Sequence, residues 1–408
     1  MRLLVVHQNF PGQFGHLVRE WSGRSGWDVR GLGRETAPGL PGFEGLSRYG
    51  LHRQGADAQH PYLRQMEAAT LHGQAVAREM LRLRGQGFVP DAILAHPGWG
   101  ETLYARDVYP DARLVHYCEW YYQADGADLG FDPEFPITLD DRARIRTWNA
   151  LHALNLTQCD AAVTPTQWQK DRHPVPFHPK ITVRHEGIET EGLTPDPAAT
   201  VTTKSGLTLR AGDPVVTYVA RSLEPYRGFH VFMRALAAIQ RANRRCHAVI
   251  VGGDEVSYGR SPGPGTNWRE FMLRSVELDP ARTHFLGRVP REVYIRVLQV
   301  SAAHVYLTYP FVLSWSLLEA MSCGAPIVAS NTAPVREVID DASMARLVDF
   351  FDVQELAAAT LETLGDPVAA RAMGEIGRRS VQRFSRGEAL PCYDQLLTPH
   401  GSGPHALR

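Results

Sequence analysis

With 408 residues, the chain is long enough for two domains of ordinary size, and its 43 basic and 44 acidic side chains nearly cancel. The chain therefore has no excess of positive charge, which excludes binding to nucleic acid or to an anionic membrane that depends on overall charge. The five cysteines are scattered and odd in number, which argues against a disulfide framework and against a zinc site.

The N-terminal sequence predicts a cytoplasmic protein. Its first apolar run, Leu3 to Val6, is too short for a signal peptide and is soon followed by Pro11 and Gly12. No apolar run reaches the roughly 20 residues that a membrane-spanning helix needs. A location at the inner face of the membrane would therefore depend on peripheral contact.

The first predicted elements are a strand, a turn and a helix. Leu3 to Val6 is typical of a parallel strand buried on both faces, Pro11 and Gly12 form the turn, and the helix is predicted from Gln13 to Trp21. This order opens a nucleotide-binding α/β domain. The turn lacks the GxGxxG pattern, so a dinucleotide fingerprint is absent.

Two later predicted strands of the N-terminal half end in polar and aromatic loops. The strand from Ala92 to Ala95 leads into His96–Glu101, and the strand from Arg113 to His116 leads into Tyr117–Tyr122. Ligands of open α/β sheets lie at the carboxyl ends of strands, so these loops are the predicted ligand-binding loops of this half.

The C-terminal half carries a stretch whose spacing suits a phosphate site. Ser314 to Ser316 precede a helix predicted from Leu317 to Cys323, which Gly324 ends. A helix N-terminus offers unpaired N–H groups and a positive dipole end to an anion. Ser316 and Glu319 also have the spacing of a capping box, which needs no ligand.

The stretch from Tyr309 to Ser330 resembles the signature of the family 4 glycosyltransferases, in the PFVLSWSLLEAM form of one subgroup. The resemblance implies the α/β architecture called GT-B, in which two doubly wound, parallel-sheet, Rossmann-like domains face each other across a cleft. The predicted domains are 1–190 and 215–385, with a linker at 191–214. A helix within 386–408 is expected to fold back on the first domain.

The resemblance also implies the nucleotide-sugar site. Glu319 matches the family glutamate that binds the ribose hydroxyls, whereas Phe311 stands where the family usually has a second glutamate. Arg221 and Arg227 bracket a predicted strand-to-helix turn and match the family's cationic pair, so they are expected to bind the diphosphate and to stabilise the leaving group.

The other donor-site residues implied by the resemblance lie in loops and turns. Gly12 and Gln13 are expected beside the donor phosphates or the acceptor, although a plain tight turn explains them too. The remaining expected donor-binding positions are Gly253, Arg288, Val289, Ser314, Trp315, Ser316 and Leu317.

Two residues complete the predicted catalytic set of His116, Glu119, Arg221 and Arg227. His116 falls where many family members carry a histidine close to the donor sugar, with a structural strand-end histidine as the alternative. Glu119 would orient an acceptor hydroxyl or act as a general base, and Glu101 is the alternative for that role.

The resemblance thus implies a retaining glycosyltransferase, which is expected to need neither metal nor cofactor. It would move a sugar from a nucleoside-diphosphate sugar to a glycan, glycolipid or other glycoconjugate acceptor in cell-surface polysaccharide biosynthesis. One alternative is a non-catalytic GT-B protein that binds sugar nucleotides or glycans, which Phe311 motivates. Another is a sugar-nucleotide epimerase or a phosphorylase of the same architecture.

Overall fold

The computed structural model describes residues 1–56 and 58–398, and the chain divides into two compact units. The first unit contains Met1–Gly187 and the C-terminal residues from Arg386 onward, and the second contains Ile188–Ser385. Residues 191–214, predicted to be a linker, therefore lie within the second unit.

The first unit is built on one parallel sheet. Within its described residues, seven strands pair in the order β3-β2-β1-β4-β5-β6-β7. The strands are β1 (Arg2–Val6), β2 (Asp28–Arg34), β3 (Leu46–Tyr49), β4 (Ala92–Ala95), β5 (Arg113–Tyr117), β6 (Ala161–Thr164) and β7 (Ile181–Val183).

Helices cover both faces of this sheet, which is why β1 reads as an unbroken apolar run. Leu4 and Val6 join a core cluster on one face, and Leu3 and Val5 join a different cluster on the other. The helices are α1 (Gly15–Ser22), α2 (Arg64–Gly85), α3 (Ala105–Val108), α4 (Leu139–Gln158) and α5 (Gln167–Arg172).

The second unit repeats the doubly wound pattern. In the part of it that the structure describes, six parallel strands pair in the order β12-β11-β10-β13-β14-β15, beside an antiparallel ribbon of β8 and β9. The strands are β8 (Thr200–Thr202), β9 (Thr208–Arg210), β10 (Val215–Ser222), β11 (His247–Gly253), β12 (Thr283–Gly287), β13 (Ala303–Tyr306), β14 (Ile327–Ser330) and β15 (Arg346–Val348).

The helices of the second unit alternate with its strands, as crossover connections between parallel strands require. They are α6 (Phe229–Ala242), α7 (Trp268–Ser275), α8 (Arg291–Gln299), α9 (Trp315–Ser322), α10 (Ala333–Val338), α11 (Val353–Gly365) and α12 (Pro367–Ser380). Across residues 1–56 and 58–398, no helix combines the length and the apolar character that crossing a bilayer requires.

The last helix, α13 (Arg386–Leu397), packs in the first unit. The Asp394 carboxylate accepts hydrogen bonds from Trp21 Nε1 and from Arg24 Nη1, both at 2.8 Å. Tyr393 and Leu397 are fully buried in the same core as β1. The chain therefore leaves the first unit after β7 and completes it only at its C-terminal helix.

Candidate functional site

Arg221 and Arg227 lie on either side of the turn that follows β10, but their surroundings differ. Arg221 is exposed at the carboxyl end of the strand, and its side chain has no hydrogen-bond or ion-pair partner among the described residues. The half-buried Arg227 guanidinium donates to Thr308 Oγ1 at 2.8 Å and to the Val312 carbonyl at 3.0 Å. Of the predicted diphosphate-binding pair, one cation is therefore exposed and the other fastens two loops together.

Gly228 makes this turn possible. Its φ is +66°, and a Cβ on it would lie 2.4 Å from Leu307 Cβ. Only glycine fits this left-handed position against the end of β13 without strain.

The predicted phosphate-binding helix starts earlier than the sequence indicated, at Trp315, with Ser314 as its N-cap. The capping box of Ser316 and Glu319 is therefore wrong, because Ser314 Oγ is the cap and accepts from the Ser316 N–H at 3.3 Å. The Ser314 N–H donates to Tyr306 Oη at 2.9 Å, and the Leu317 N–H donates to the Ser314 carbonyl at 3.3 Å. Three of the amides expected at a phosphate thus have acceptors within the unit.

Glu319, the predicted ribose ligand, is buried on α9 and faces α8. Its carboxylate accepts from Arg291 Nη1 at 3.0 Å and from the Tyr294 hydroxyl. Burial and this carboxylate raise the pKa of Tyr294 well above its ordinary value. In this structure the Glu319 carboxylate therefore accepts hydrogen bonds from two side chains of α8.

Phe311 is buried in an aromatic cluster instead of presenting a carboxylate. Its ring centroid lies 5.1 Å from that of Tyr258 and 5.8 Å from that of Tyr226. Tyr309 stands 4.7 Å from Tyr226, which extends the cluster. A buried aromatic ring thus occupies the position at which the resemblance implies a carboxylate.

Glu224 positions Tyr258 and is a residue that the sequence reasoning missed. Its buried carboxylate accepts the N–H groups of Ser257, Tyr258 and Gly259, the last at 2.8 Å. Burial raises the pKa of Glu224, and these N–H groups oppose that rise. The three donors are more than thirty residues away in sequence, so no local pattern indicates the contact.

The ends of β11 and β12 lie side by side, since these strands are neighbours in the sheet. A Cβ on Gly253 would come within 2.3 Å of Glu255 Oε2. The exposed Arg288 pairs with the Glu255 carboxylate, and the half-buried Val289 packs against the core. The predicted donor-binding positions Gly253, Arg288 and Val289 therefore share one sheet edge.

In the first unit, Gly12 begins a short 3-10 helix that ends at Phe14, and the half-buried Gln13 lies within it. The φ of Gly12 is +53°, and a Cβ there would lie 2.4 Å from His7 Nε2. This turn needs glycine because of the histidine behind it.

His116 lies inside the first unit and not at its surface. The side chain is fully buried, and its Nε2 is 3.0 Å from Thr102 Oγ1. Burial lowers the pKa of His116 to about 3, so the ring stays neutral. A buried ring offers no surface to a sugar, and the structural alternative for His116 is the one that this placement supports.

A different histidine, His96, accompanies Glu119. The Gly98 N–H donates to His96 Nδ1 at 3.2 Å, so the proton of the neutral ring lies on Nε2. That Nε2 stands 3.5 Å from Glu119 Oε2, and the Glu119 side chain is 36% exposed. The loops after β4 and β5 thus bring a half-exposed carboxylate next to an oriented imidazole.

Glu101, the alternative to Glu119, is 1% exposed. The Tyr49 hydroxyl donates to its Oε1 at 3.2 Å. Burial raises the pKa of Glu101 to about 7.

Two sequence profiles match the chain, one for each half. Residues 25–193 match the profile described as glycosyl transferase family 4 group. Residues 202–380 match the profile described as glycosyl transferases group 1.

Several curated proteins are similar over about half of the chain. A GDP-mannose-dependent alpha-(1-6)-phosphatidylinositol monomannoside mannosyltransferase of Mycolicibacterium smegmatis is 27% identical over 54% of this chain and 56% of its own length. A D-inositol 3-phosphate glycosyltransferase of Corynebacterium jeikeium is 28% identical over 54% and 53%. The O-antigen chain mannosyltransferase B of Escherichia coli is 35% identical over 36% and 35%. The matches thus span about half, or less, of these relatives.

Solved structures resemble the whole chain. Sucrose-phosphate synthase from Thermosynechococcus elongatus has a TM-score of 0.72 at 18% identity and covers 97% of this chain and 98% of its own. HepE of Anabaena, solved in complex with UDP and glucose, has a TM-score of 0.67 at 16% identity and covers 97% and 99%. These likenesses establish the fold alone.

The sheet topology of both units and these neighbours identify the fold as GT-B, with two Rossmann-like domains. One profile covers most of the first unit, and the other covers most of the second. The chain belongs to family 4 of the glycosyltransferases.

Proposed function

We propose that the protein is a glycosyltransferase that moves a sugar from a nucleoside-diphosphate sugar to a glycan or glycoconjugate acceptor. The observation that carries the proposal is Arg221. It is an exposed cation without a partner in the described part of the chain, and it stands at the carboxyl end of β10. Open α/β sheets bind ligands at this edge, and a diphosphate would supply the missing anion.

Arg221 and Arg227 together account for the chemistry of the donor. Negative charge develops on the diphosphate as the sugar leaves, and a guanidinium group placed at that charge stabilises the transition state. Arg227 holds the turn in place and adds a second positive charge to it. Two guanidinium groups can meet this need without a metal ion, and retention of configuration follows from family 4 membership.

The acceptor would meet Glu119 and His96 in the first unit. Glu119 is exposed enough to accept a hydrogen bond from an acceptor hydroxyl, and His96 Nε2 lies 3.5 Å from its carboxylate. A carboxylate in this position can take up the hydroxyl proton as the glycosidic bond forms.

Names of relatives suggest which substrates to test first. GDP-mannose is the first donor, because the relatives from Mycolicibacterium smegmatis and Corynebacterium glutamicum are GDP-mannose-dependent mannosyltransferases. The Escherichia coli relative acts on an O-antigen chain, which supports a role in cell-surface polysaccharide assembly.

Isothermal titration with GDP-mannose, UDP-glucose, ADP-glucose and dTDP-glucose, with and without EDTA, tests the proposal. One donor should bind and be slowly hydrolysed in EDTA, and Arg221→Ala should raise its Kd at least about tenfold. The matched control is Arg244→Ala, because Arg244 is an exposed arginine between α6 and β11, at the opposite edge of the same sheet. Absence of donor binding, or equal weakening by both variants, would refute the proposal.

Phe311 favours a second candidate, a non-catalytic protein that binds sugar nucleotides. The buried aromatic cluster leaves this position without the carboxylate that the family usually has there. Donor binding without hydrolysis or transfer, over a panel of glycan and glycolipid acceptors, would support this candidate against the transferase.

A further inference from the structure

Two histidines of the second unit meet across neighbouring strands. His247 begins β11, and His284 is the second residue of β12, the edge strand of the described six-stranded sheet. His247 Nδ1 stands 3.1 Å from His284 Nε2. The ring planes differ by 13° and the ring centroids are 5.3 Å apart, so the rings meet edge to edge with these two nitrogens facing each other. The residues are 37 positions apart, and no local ligand spacing in the sequence indicates the pair.

The register of the two strands brings these rings together. In the parallel pairing of β11 with β12, Val249 lies opposite His284. His247 is two residues before Val249 and therefore projects from the same face of the sheet. Val249 and Leu286, which share this face, belong to an apolar core cluster. The histidine pair thus continues a face that is otherwise packed with apolar side chains, and the backbone pairing of the sheet fixes its position.

Both rings are neutral at pH 7. Burial lowers the pKa of His247 and of His284, and the neighbouring ring lowers that of His284 further. A neutral imidazole has one unprotonated nitrogen, and in this form it binds metal ions. In the described part of the chain the outer nitrogens, His247 Nε2 and His284 Nδ1, have no hydrogen-bond partner. They can therefore carry the protons while both inner nitrogens are unprotonated.

The inner nitrogens have nearly the separation of two ligands of one metal ion. A Zn–N bond is about 2.0–2.1 Å long, so two nitrogens on a tetrahedral zinc ion stand about 3.4 Å apart. The observed 3.1 Å has to increase by only about 0.3 Å, with a rotation of the rings that turns both lone pairs toward the ion. His247 is half-buried, so an ion reaches the pair from solvent.

Two carboxylates favour a cation at this pair without competing for its place. The charges of Asp213 and Asp279 oppose the lowering of the His247 pKa, whereas the charge of Arg282 adds to it. Asp279 accepts from Arg282 Nε at 2.7 Å, and Asp213 accepts the Arg210 N–H at 2.8 Å. Both carboxylates are thus held by other donors, and water would fill the remaining coordination positions of the ion.

We propose that His247 and His284 together bind one divalent transition-metal ion of the kind that imidazole prefers, Zn²⁺, Ni²⁺ or Cu²⁺. The ion would join the edge strand β12 to β11 and stabilise the folded second unit. His247 begins β11 and Gly253 ends it, so this site lies roughly 20 Å from the edge with the predicted donor-binding positions. The proposal is therefore independent of the proposed function.

Calorimetric titration of the full-length protein, without an affinity tag, with the chlorides of Zn²⁺, Ni²⁺, Cu²⁺ and Mg²⁺ at pH 7 tests the site. We expect saturable binding of the three transition metals, tightest for Cu²⁺, and none of Mg²⁺, which prefers oxygen ligands. His247→Gln and His284→Gln should each raise the Kd at least tenfold. The double variant should bind no more weakly than either single variant, because loss of one ring already ends the shared binding.

A stability measurement and a control variant decide whether the folded pair binds the ion. Saturating Zn²⁺ should raise the urea midpoint of the natural protein and leave that of His247→Gln unchanged, since a ligand stabilises only the state that binds it. His52→Gln, at an exposed histidine, is the control and should keep the natural Kd. An unchanged Kd in His284→Gln would show that His247 binds as a single surface imidazole. That result, the absence of saturable binding, or equal weakening by His52→Gln would overturn the proposal.

Discussion

Arg221 and Arg227 carry the same charge and lie six residues apart, yet their contacts indicate different roles. The Arg221 side chain points to solvent, whereas Arg227 donates to Thr308 and Val312 and lies over the ring of Tyr258, 5.7 Å from its centroid. Sequence spacing identified both as cations of one turn. The contacts that distinguish their roles come from residues that are remote in sequence. Tyr258 is more than thirty positions from Arg227, and Thr308 and Val312 are more than eighty positions from it.

We expect Arg227→Ala to lower the free energy of unfolding by about 2–4 kcal/mol, because it leaves buried acceptors unpaired. Arg221→Ala should change it by no more than about 0.5 kcal/mol, as for most exposed positions. Urea denaturation followed by far-UV circular dichroism measures both. Equal losses in the two variants would contradict this division of roles.

Glu101 gives a prediction about pH. Its folded pKa of about 7 lies above the ordinary value of 4.5, so its stabilising contribution is complete below pH 4.5 and is lost as the pH rises through 7. Glu101→Gln removes this dependence. Relative to the natural protein, the variant should gain stability between pH 5 and pH 8, by up to about 3 kcal/mol.

Denaturant midpoints at pH 5, 6, 7 and 8 check this expectation. The matched control is Glu292→Gln, because Glu292 is exposed in the first turn of α8. A stability difference that stays constant with pH would show that Glu101 does not retain its proton in the folded state.

Single side chains also mark the limit of sequence reasoning at the candidate site. The sequence located the ends of β4 and β5, but successive strand residues face opposite sides, and the pattern around His116 does not reveal which side is buried. His116 lies inside, whereas Glu119, two residues after β5, remains half-exposed. Glu319 was located on the correct helix, and its partners on α8 could not be inferred from local spacing.

Among the loops, the segment between β11 and α7 depends on one remote carboxylate. Glu224→Ala removes the acceptor for three backbone N–H groups, those of Ser257, Tyr258 and Gly259. We expect amide hydrogen exchange in residues 254–267 to accelerate at least tenfold, because exchange follows local opening.

Exchange measured by mass spectrometry tests this element directly. Glu277→Ala, which changes an exposed carboxylate close to the end of α7, is the control. If residues 254–267 exchange at the same rate in both variants, Glu224 does not hold this loop.

Element bounds were predicted best where strands are continuous apolar runs. The bounds of Ala92–Ala95 agree with the structure, and β1 differs by one residue. The strand from Leu46 to Tyr49 was missed, because it is four residues long, lies at the sheet edge and carries polar residues. The ribbon within residues 191–214 was missed for a similar reason, since each of its strands has three residues.

At the scale of the whole molecule, buried neutral histidines predict sensitivity to acid. Among the described residues, the pKa values of six histidines are lowered to about 3 or 4, chiefly by burial. They are His16, His72, His116, His152, His173 and His304.

Below pH 6.5 the unfolded chain takes up protons that these folded histidines do not. The contribution of these histidines to stability should therefore be complete above pH 6.5 and fall as the pH drops toward 4. His304→Asn should reduce this slope, and replacement of the exposed His52 should not. Urea midpoints between pH 4 and 7 that stay constant would contradict the expectation.

The packing of α13 predicts what truncation does. A chain that ends at Ser385 lacks Tyr393, Leu397 and the Asp394 contacts with Trp21 and Arg24. The first unit should then unfold at a lower urea concentration, with the second unit little affected. Tyr393→Ala removes only one of these side chains and should lower the free energy of unfolding by about 3–5 kcal/mol.

Limited proteolysis read by mass spectrometry separates the two units. Early cleavage confined to residues 1–187 of the truncated chain is the expected result. Cleavage that begins within 188–385 would contradict the assignment of α13 to the first unit.

The ends of the second unit lie side by side, and this has a consequence for biosynthesis. The Ile188 N–H donates to the Phe384 carbonyl at 2.9 Å, and Ile188 forms a parallel bridge with Ser385. All residues of the second unit are thus synthesised, and leave the ribosome, ahead of α13, although the first unit begins the chain. During translation the second unit can finish folding first, while the older first unit waits for the last helix to complete its core.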